Sequence, residues 1–239
     1  MEYVEDIMKN NINEFIKTLL FSCPIYQIRI DPNSYDKEKI INDIKYNKSL
    51  KNTRNDPHQN IGGTSDTHHS YRDFDNENFR SINYEKLQSV YLKMIKEFFE
   101  KEIQMEKTLK TFKYKIEFLN YSAVTEGQWL PFHNHLGAGD DFACIHYLNF
   151  KDDHVHTTFN NPINFTPFLK FIQPELYDIL DNRTSDNSYL EEYFGFPAEE
   201  DDMLIFPTAL NHQITVQGPT KEPRITISSN IKLSEERKI

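Results

Sequence analysis

From residue 112 the sequence reads in twos. Phe112, Tyr114, Ile116 and Phe118 alternate with Lys113, Lys115 and Glu117. That is the period of a strand with one face buried and the other in water. Further short strands are predicted at 119–125, 128–133, 142–150, 156–160, 203–207, 212–217 and 224–231, most of them parted by turn residues. A chain committed to many short strands has to close them into a sandwich or a barrel. The basic stretch Lys107 to Lys115 reads as the solvated face of the first strand. Between about 165 and 195 a short helix near Glu175 to Leu180 and a polar loop interrupt the series.

The first 106 residues follow a different period. Val4, Ile7, Met8, Ile12, Phe15 and Leu19 recur at helical spacing over 4–21 until Cys23-Pro24 ends the pattern. Residues 24–31 alternate as a strand, and a helix starting near Ser34 or Asp36 carries Ile40, Ile41 and Ile44. The stretch 52–77 is polar, holds Gly62-Gly63 and His68-His69, and reads as a long loop of the kind that often serves function. A second helix over 82–106 carries Leu87, Val90, Tyr91, Met94, Ile95 and Phe98 on one stripe. The expected architecture is α+β. One domain spans 1–239, with a helical part over 1–106 buttressing a β-rich catalytic core over 107–239.

Composition excludes several classes. Aromatics make up 13% of the chain, with 18 Phe and 13 Tyr, enough to fill a core and to exclude global disorder. A net charge of −10 argues against a nucleic-acid partner. Two distant cysteines, Cys23 and Cys144, make no disulfide framework and suit a reducing cytoplasm. Cys144 lies in an apolar run and is expected to be buried and inert. The N-terminus begins MEYVEDIMKN, acidic where a secretion signal is basic. No apolar run approaches the ~18 residues of a membrane span. A soluble, cytoplasmic protein without a membrane partner is expected.

Three features in the β-rich half carry chemistry. His133-Asn134-His135 ends a predicted strand, where residues two apart point the same way and both imidazoles can face one metal. His212 follows the apolar run Met203 to Pro207 and a short turn. Arg224 opens a strand whose alternation puts Arg224, Thr226 and Ser228 on one face. Non-haem Fe(II) oxygenases hold iron with three protein ligands on one side, leaving the other positions open. A dicarboxylate co-substrate that chelates iron needs a fixed cation at its far end. Arginine supplies one as a planar, bidentate donor, and a hydroxyl such as Thr226 adds a hydrogen bond.

These residues resemble a known family. His133 to Gly137, Ile145 to Asn149, Asp202 to Pro207 with His212, and Arg224 to Asn230 are similar to the signature of 2-oxoglutarate/Fe(II) oxygenases with a double-stranded β-helix, or jelly-roll, core. The likeness is nearest to an uncharacterised, partly phage-borne, prolyl-hydroxylase-like group, whose upstream loop is similar to Asn60 to Ser65 here. It covers most of the chain, strongly in the last 110 residues and weakly before 60. It implies a hydroxylase that binds Fe(II) through His133, His135 and His212 and holds 2-oxoglutarate with Arg224, Thr226 and Tyr121 or Tyr114. It also implies O₂ as co-substrate, succinate and CO₂ as products, and a peptide, protein or small-molecule substrate.

His135 stands where most of that family has a carboxylate. Three readings follow: His135 is the ligand; Asp140 or Asp141 swings in; or His135 lies behind the ligands, with water or an anion on the metal. We take His135 as the ligand. His154 and His156, a second such pair, read as loop or strand-end residues, with the mouth of the pocket as the other reading. His68, His69 and Arg72 read as solvated loop or substrate lid, and Trp129 and Phe132 as core. The letters H-N-H also name a nuclease motif, but that motif is dispersed and its surroundings do not match. Two rivals to the oxygenase are a cupin-like three-histidine dioxygenase that does not use 2-oxoglutarate and a jelly-roll binding module without catalysis.

Overall fold

The structure is a computed structural model that describes residues 16–20, 23–50, 68–70, 77–103, 111–162, 175 and 192–236. Two antiparallel sheets make the core. The larger has seven strands: β1 (Ile16–Leu20), β2 (Cys23–Arg29), β3 (His68–His69), β4 (Thr111–Val124), β6 (Phe142–Asn149), β9 (Asp202–Pro207) and β11 (Arg224–Glu236), in the order β1-β2-β9-β6-β11-β4-β3. The smaller has four: β5 (Leu130–His133), β7 (Thr157–Asn160), β8 (Tyr193–Gly195) and β10 (His212–Ile214), in the order β5-β10-β7-β8. From β4 onward, successive segments of the chain pass back and forth between the sheets, giving the α+β jelly-roll expected from the sequence.

The two faces of the large sheet do different work. Odd-numbered Ile225, Ile227 and Ile231 of β11 join Ile28, Cys144, Met203 and Ile205 on the face covered by helices α1 (Lys37–Ser49) and α2 (Glu85–Lys101). Ile40, Ile41 and Ile44 of α1 and Leu87, Tyr91, Ile95 and Phe98 of α2 form the apolar stripes that seal it. The other face looks across a lumen toward the small sheet. There Ala143, Ile145, Tyr147, Leu204 and Phe206 pack with Phe159, Phe196 and Leu210. The even-numbered β11 residues, starting with Arg224, face that lumen.

Several expectations change. The helix predicted over 4–21 is a strand over its described part, β1, paired with β2 from Ile16 opposite Gln27 to Leu20 opposite Cys23. The N-terminal part therefore supplies strands to the core as well as helices. His68 and His69 form an edge strand opposite Ala123 and Ser122, not a loop. The strands read separately at 112–118 and 119–125 are one strand, β4, broken in register: Glu117 and Phe118 lie between Ile116 and Leu119, against Asn230 alone between Ser229 and Ile231. This β-bulge inserts one residue and reverses the faces of β4 beyond it. The helix near 175–180, Arg72 and the loop Asn60 to Ser65 fall outside the described residues, apart from Glu175. Among the described residues no helix is long and apolar enough to cross a membrane.

Candidate metal centre

The smaller sheet gathers the histidines. His133 ends β5 and pairs with His212, the first residue of β10, which pairs on its other side with Phe159 of β7. His135 lies two residues beyond, its N–H donating to Thr208 O at 3.0 Å. The ring centroids of His133 and His212 are 4.2 Å apart, those of His135 and His212 5.3 Å, and those of His133 and His135 5.5 Å. One ligand atom from each lies within 4.8 Å of the others, the single such group among the described residues. Small rotations would bring three nitrogens within the ~2.1 Å of a shared centre that imidazole–metal bonds need.

Hydrogen bonding fixes which nitrogen faces inward. His133 Nδ1–H donates to Pro131 O at 2.9 Å, and His212 Nδ1–H donates to Leu210 O at 3.1 Å. His135 Nδ1 meets Asn230 Oδ1 at 2.6 Å, while Asn230 Nδ2 donates to Asp140 Oδ2 at 2.7 Å. A carboxylate can only accept, so the amide orientation is set and His135 Nδ1 is the donor. All three Nε2 lone pairs are free to face a metal, each imidazole braced from behind in the way metal-binding histidines are. Burial lowers the pKa of His212 to about 3, with His133 adding to the shift, and burial also lowers that of His133. Both are thus neutral, as ligation requires.

Arg224 lies beyond the triad, wholly buried. Its Nε donates to Val155 O at 3.0 Å and its Nη2 to Thr157 Oγ1 at 2.9 Å. Its Nη1 is buried without a partner, and no carboxylate pairs with it among the described residues. The guanidinium lies 5.2 Å from the ring centre of Tyr147, whose hydroxyl donates to Thr157 Oγ1 at 2.7 Å. Thr157 is two residues before Phe159, the partner of His212, so this cradle lies roughly 7 Å along the strand from the histidines. An unpaired buried cation costs folding free energy unless something anionic meets it.

The remaining sequence candidates sort by face. Thr226 is buried on the Arg224 side of β11, but its hydroxyl lies 2.9 Å from Ser122 Oγ, not against the guanidinium. Tyr121 is not in the site. It is buried in the helix-facing core, because the bulge in β4 turns Ser122 rather than Tyr121 inward. Tyr114 also faces the helices, with its ring 5.3 Å from that of Phe99. The tyrosine beside Arg224 is Tyr147. Tyr147 lies in the motif Ile145 to Asn149, which gives it no role of its own, and Thr157 carries no sign beyond lying on a predicted strand. Asp140 and Asp141 are not in the metal group: Asp140 backs Asn230, and Asp141 Oδ2 accepts from the exposed Leu233 N–H. His154 ties two loops, accepting from Lys151 N–H and donating to Glu222 O. Phe132 is not core; it is half-exposed and stacks on Tyr193 at 5.3 Å.

No protein-family profile matches this sequence, and no curated protein matches it. Among solved structures, the chain is similar to a viral collagen prolyl hydroxylase from Paramecium bursaria Chlorella virus-1, determined as its 2-oxoglutarate complex. The identity is 13%, the match covers 86% of this chain and 94% of that one, and the TM-score is 0.45. It is also similar to a 2OG-Fe(II) oxygenase family oxidoreductase from Burkholderia pseudomallei (9% identity, 64% of this chain, 61% of that chain, TM-score 0.40). A Pseudomonas putida prolyl-4-hydroxylase gives 8% identity, 64% of each chain and a TM-score of 0.37. The match thus spans under two thirds of the two bacterial proteins. At such scores chemistry does not transfer with the fold, and function has to come from this chain's own site. The solved structures that this chain is similar to include 2-oxoglutarate/Fe(II) oxygenases and prolyl hydroxylases.

Proposed function

We propose that this protein is a 2-oxoglutarate-dependent Fe(II) dioxygenase that hydroxylates a C–H bond of a peptide, protein or small-molecule substrate. The observation that carries the reading is the pair of unmet demands in one lumen. Three braced Nε2 lone pairs fit a divalent metal, and the orphaned Arg224 Nη1 fits the far carboxylate of a dicarboxylate. The lining separates the two by roughly two strand residues.

His133, His135 and His212 would hold the iron and leave the rest of its coordination sphere to small molecules. Iron and 2-oxoglutarate, when bound, supply the oxidising chemistry: decarboxylation to succinate and CO₂ coupled to reduction of O₂ and hydroxylation of the substrate. Arg224 binds the distal carboxylate with a hydrogen bond assisted by charge. Thr157 and Val155 hold the guanidinium in place, and the Tyr147 ring keeps water from its face. Phe159 and Phe206 pack against His212, with ring centres 6.0 and 5.0 Å away, and dry the inner side of the metal site. His133 and His135 are only half-buried, so substrate enters from their side.

The all-imidazole face favours a second reading, a three-histidine dioxygenase that uses no 2-oxoglutarate. Titration of anaerobic, Fe(II)-loaded protein with 2-oxoglutarate separates the two. A weak visible charge-transfer band that saturates with co-substrate and is lost in His212→Ala is expected. Bound iron with no such band moves the assignment to the second reading.

A further inference from the structure

The His135–Asn230–Asp140 chain has no role in the reading above beyond bracing one ligand, yet its far end is unusual. Asp140 is buried, with Oδ2 on Asn230 Nδ2 and Oδ1 without any partner. No cation pairs with it among the described residues. A buried carboxylate left half-satisfied works against folding and calls for an explanation. Arg224 cannot supply the missing charge. It lies six residues from Asn230 on the same strand, roughly 20 Å away.

The chain is built to bring Asp140 to this place. After His135, the turn Leu136–Ala138 ends at Gly139, whose φ of 69° is in the left-handed region that favours glycine. That reversal carries Asp140 back beneath β11, where Thr208 Oγ1–H donates to its main-chain oxygen at 2.8 Å. Asn230 sits opposite the β4 bulge, a feature that commonly re-aims a side chain beside a site.

We propose that Asp140 is a positioning residue for the metal centre. Through Asn230 it supplies, two hydrogen bonds removed from His135, the negative charge that His135 does not bring to the metal. A divalent ion at the three imidazoles is the positive charge that completes the buried carboxylate. Asn230 passes the effect on by polarising His135 Nδ1–H, which makes Nε2 a stronger donor to the metal. His135 and Asp140 thus share the task of a single ligating carboxylate. This inference rests on the metal centre proposed above.

The test is Co(II) binding to the full chain, measured by competition with a chromogenic chelator, beside thermal melting of the metal-free protein. Asp140→Asn is expected to weaken Co(II) binding roughly 10- to 100-fold. Its metal-free form is expected to melt at or above the wild-type temperature, because a half-satisfied buried charge is gone. The exchange variant Asp140→Asn/Asn230→Asp puts the charge directly on His135 and should recover most of the lost affinity. Wild-type protein that takes up no Co(II) overturns the metal centre and the relay with it. Wild-type uptake matched by Asp140→Asn overturns the relay alone. So does an exchange variant as weak as the single substitution, or a metal-free Asp140→Asn that melts well below wild type, which marks Asp140 as structural.

Discussion

Arg224 is the residue on which the co-substrate reading turns, and it offers a sharp expectation. Lysine keeps the charge but loses the planar fork that reaches Val155, Thr157 and an incoming carboxylate together. A lost charge-assisted hydrogen bond amounts to ~1.5–3 kcal/mol. Arg224→Lys should therefore raise the 2-oxoglutarate concentration needed for half-saturation roughly 10- to 100-fold while leaving metal uptake unchanged. Equal saturation curves for the two proteins would sink the assignment. The two tyrosines separate in the same assay. Tyr147→Phe removes a hydroxyl that braces Thr157 and should weaken co-substrate binding, whereas Tyr121→Phe, on the helix side of the sheet, should not. If Tyr121→Phe alone shifted the curve, the placement of these side chains would be wrong.

Among the elements, helix α2 was plain in the sequence because its apolar residues keep one spacing for four turns, and the structure buries that stripe. Phe98 shows how much rests on it: its ring meets those of Tyr26, Phe99 and Phe142 within 4.8–5.5 Å. Phe98→Ala should cost ~3–5 kcal/mol, read as a lower urea midpoint with little change in slope. A loss under 1 kcal/mol would mean that the helix is not sealed onto the sheet as described. The meeting of the three histidines and the inward face of Arg224 were legible because strand period and residue chemistry agreed. What was not legible has particular causes. β1 carries Ile16 and Leu19 at a spacing that suits a helix, and only pairing with β2 decides for a strand. β8 has three residues, too few for any period to register. Tyr121 was placed in the site by the family resemblance, and one inserted residue in β4, invisible without the partner strand, turned it away. The tie from His135 to Asp140 runs through Asn230, ninety residues from Asp140 along the chain, and no local pattern announces it.

For the molecule as a whole, buried neutral histidines set the acid limit. His146 lies wholly buried between the large sheet and α2, with Nδ1 2.7 Å from the Tyr91 hydroxyl, and burial pushes its pKa down to about 3. Folding depresses this pKa below the unfolded value near 6.5, so the unfolded chain binds a proton that the folded one refuses. The stability this group contributes is full above about 6.5 and drains away as pH falls toward about 3. His212 adds a second such slope in the metal-free protein. The urea midpoint of metal-free protein should fall steadily from pH 7 to pH 5, and more gently in His146→Gln. A flat profile would contradict the burial of these rings. A divalent metal bound as proposed would oppose the trend by competing with protons for His212, and at 100 times its dissociation constant would add about 2.7 kcal/mol.

The unmet Nη1 of Arg224 and Oδ1 of Asp140 reach further than catalysis. Each belongs to a buried charge that has no ionic partner among the described residues. On the proposed function, the folded state is most secure when iron and 2-oxoglutarate are plentiful, and loosest when both are scarce. A cell starved of iron would, on that proposal, clear this protein faster, so that its abundance as well as its turnover would follow nutrient supply.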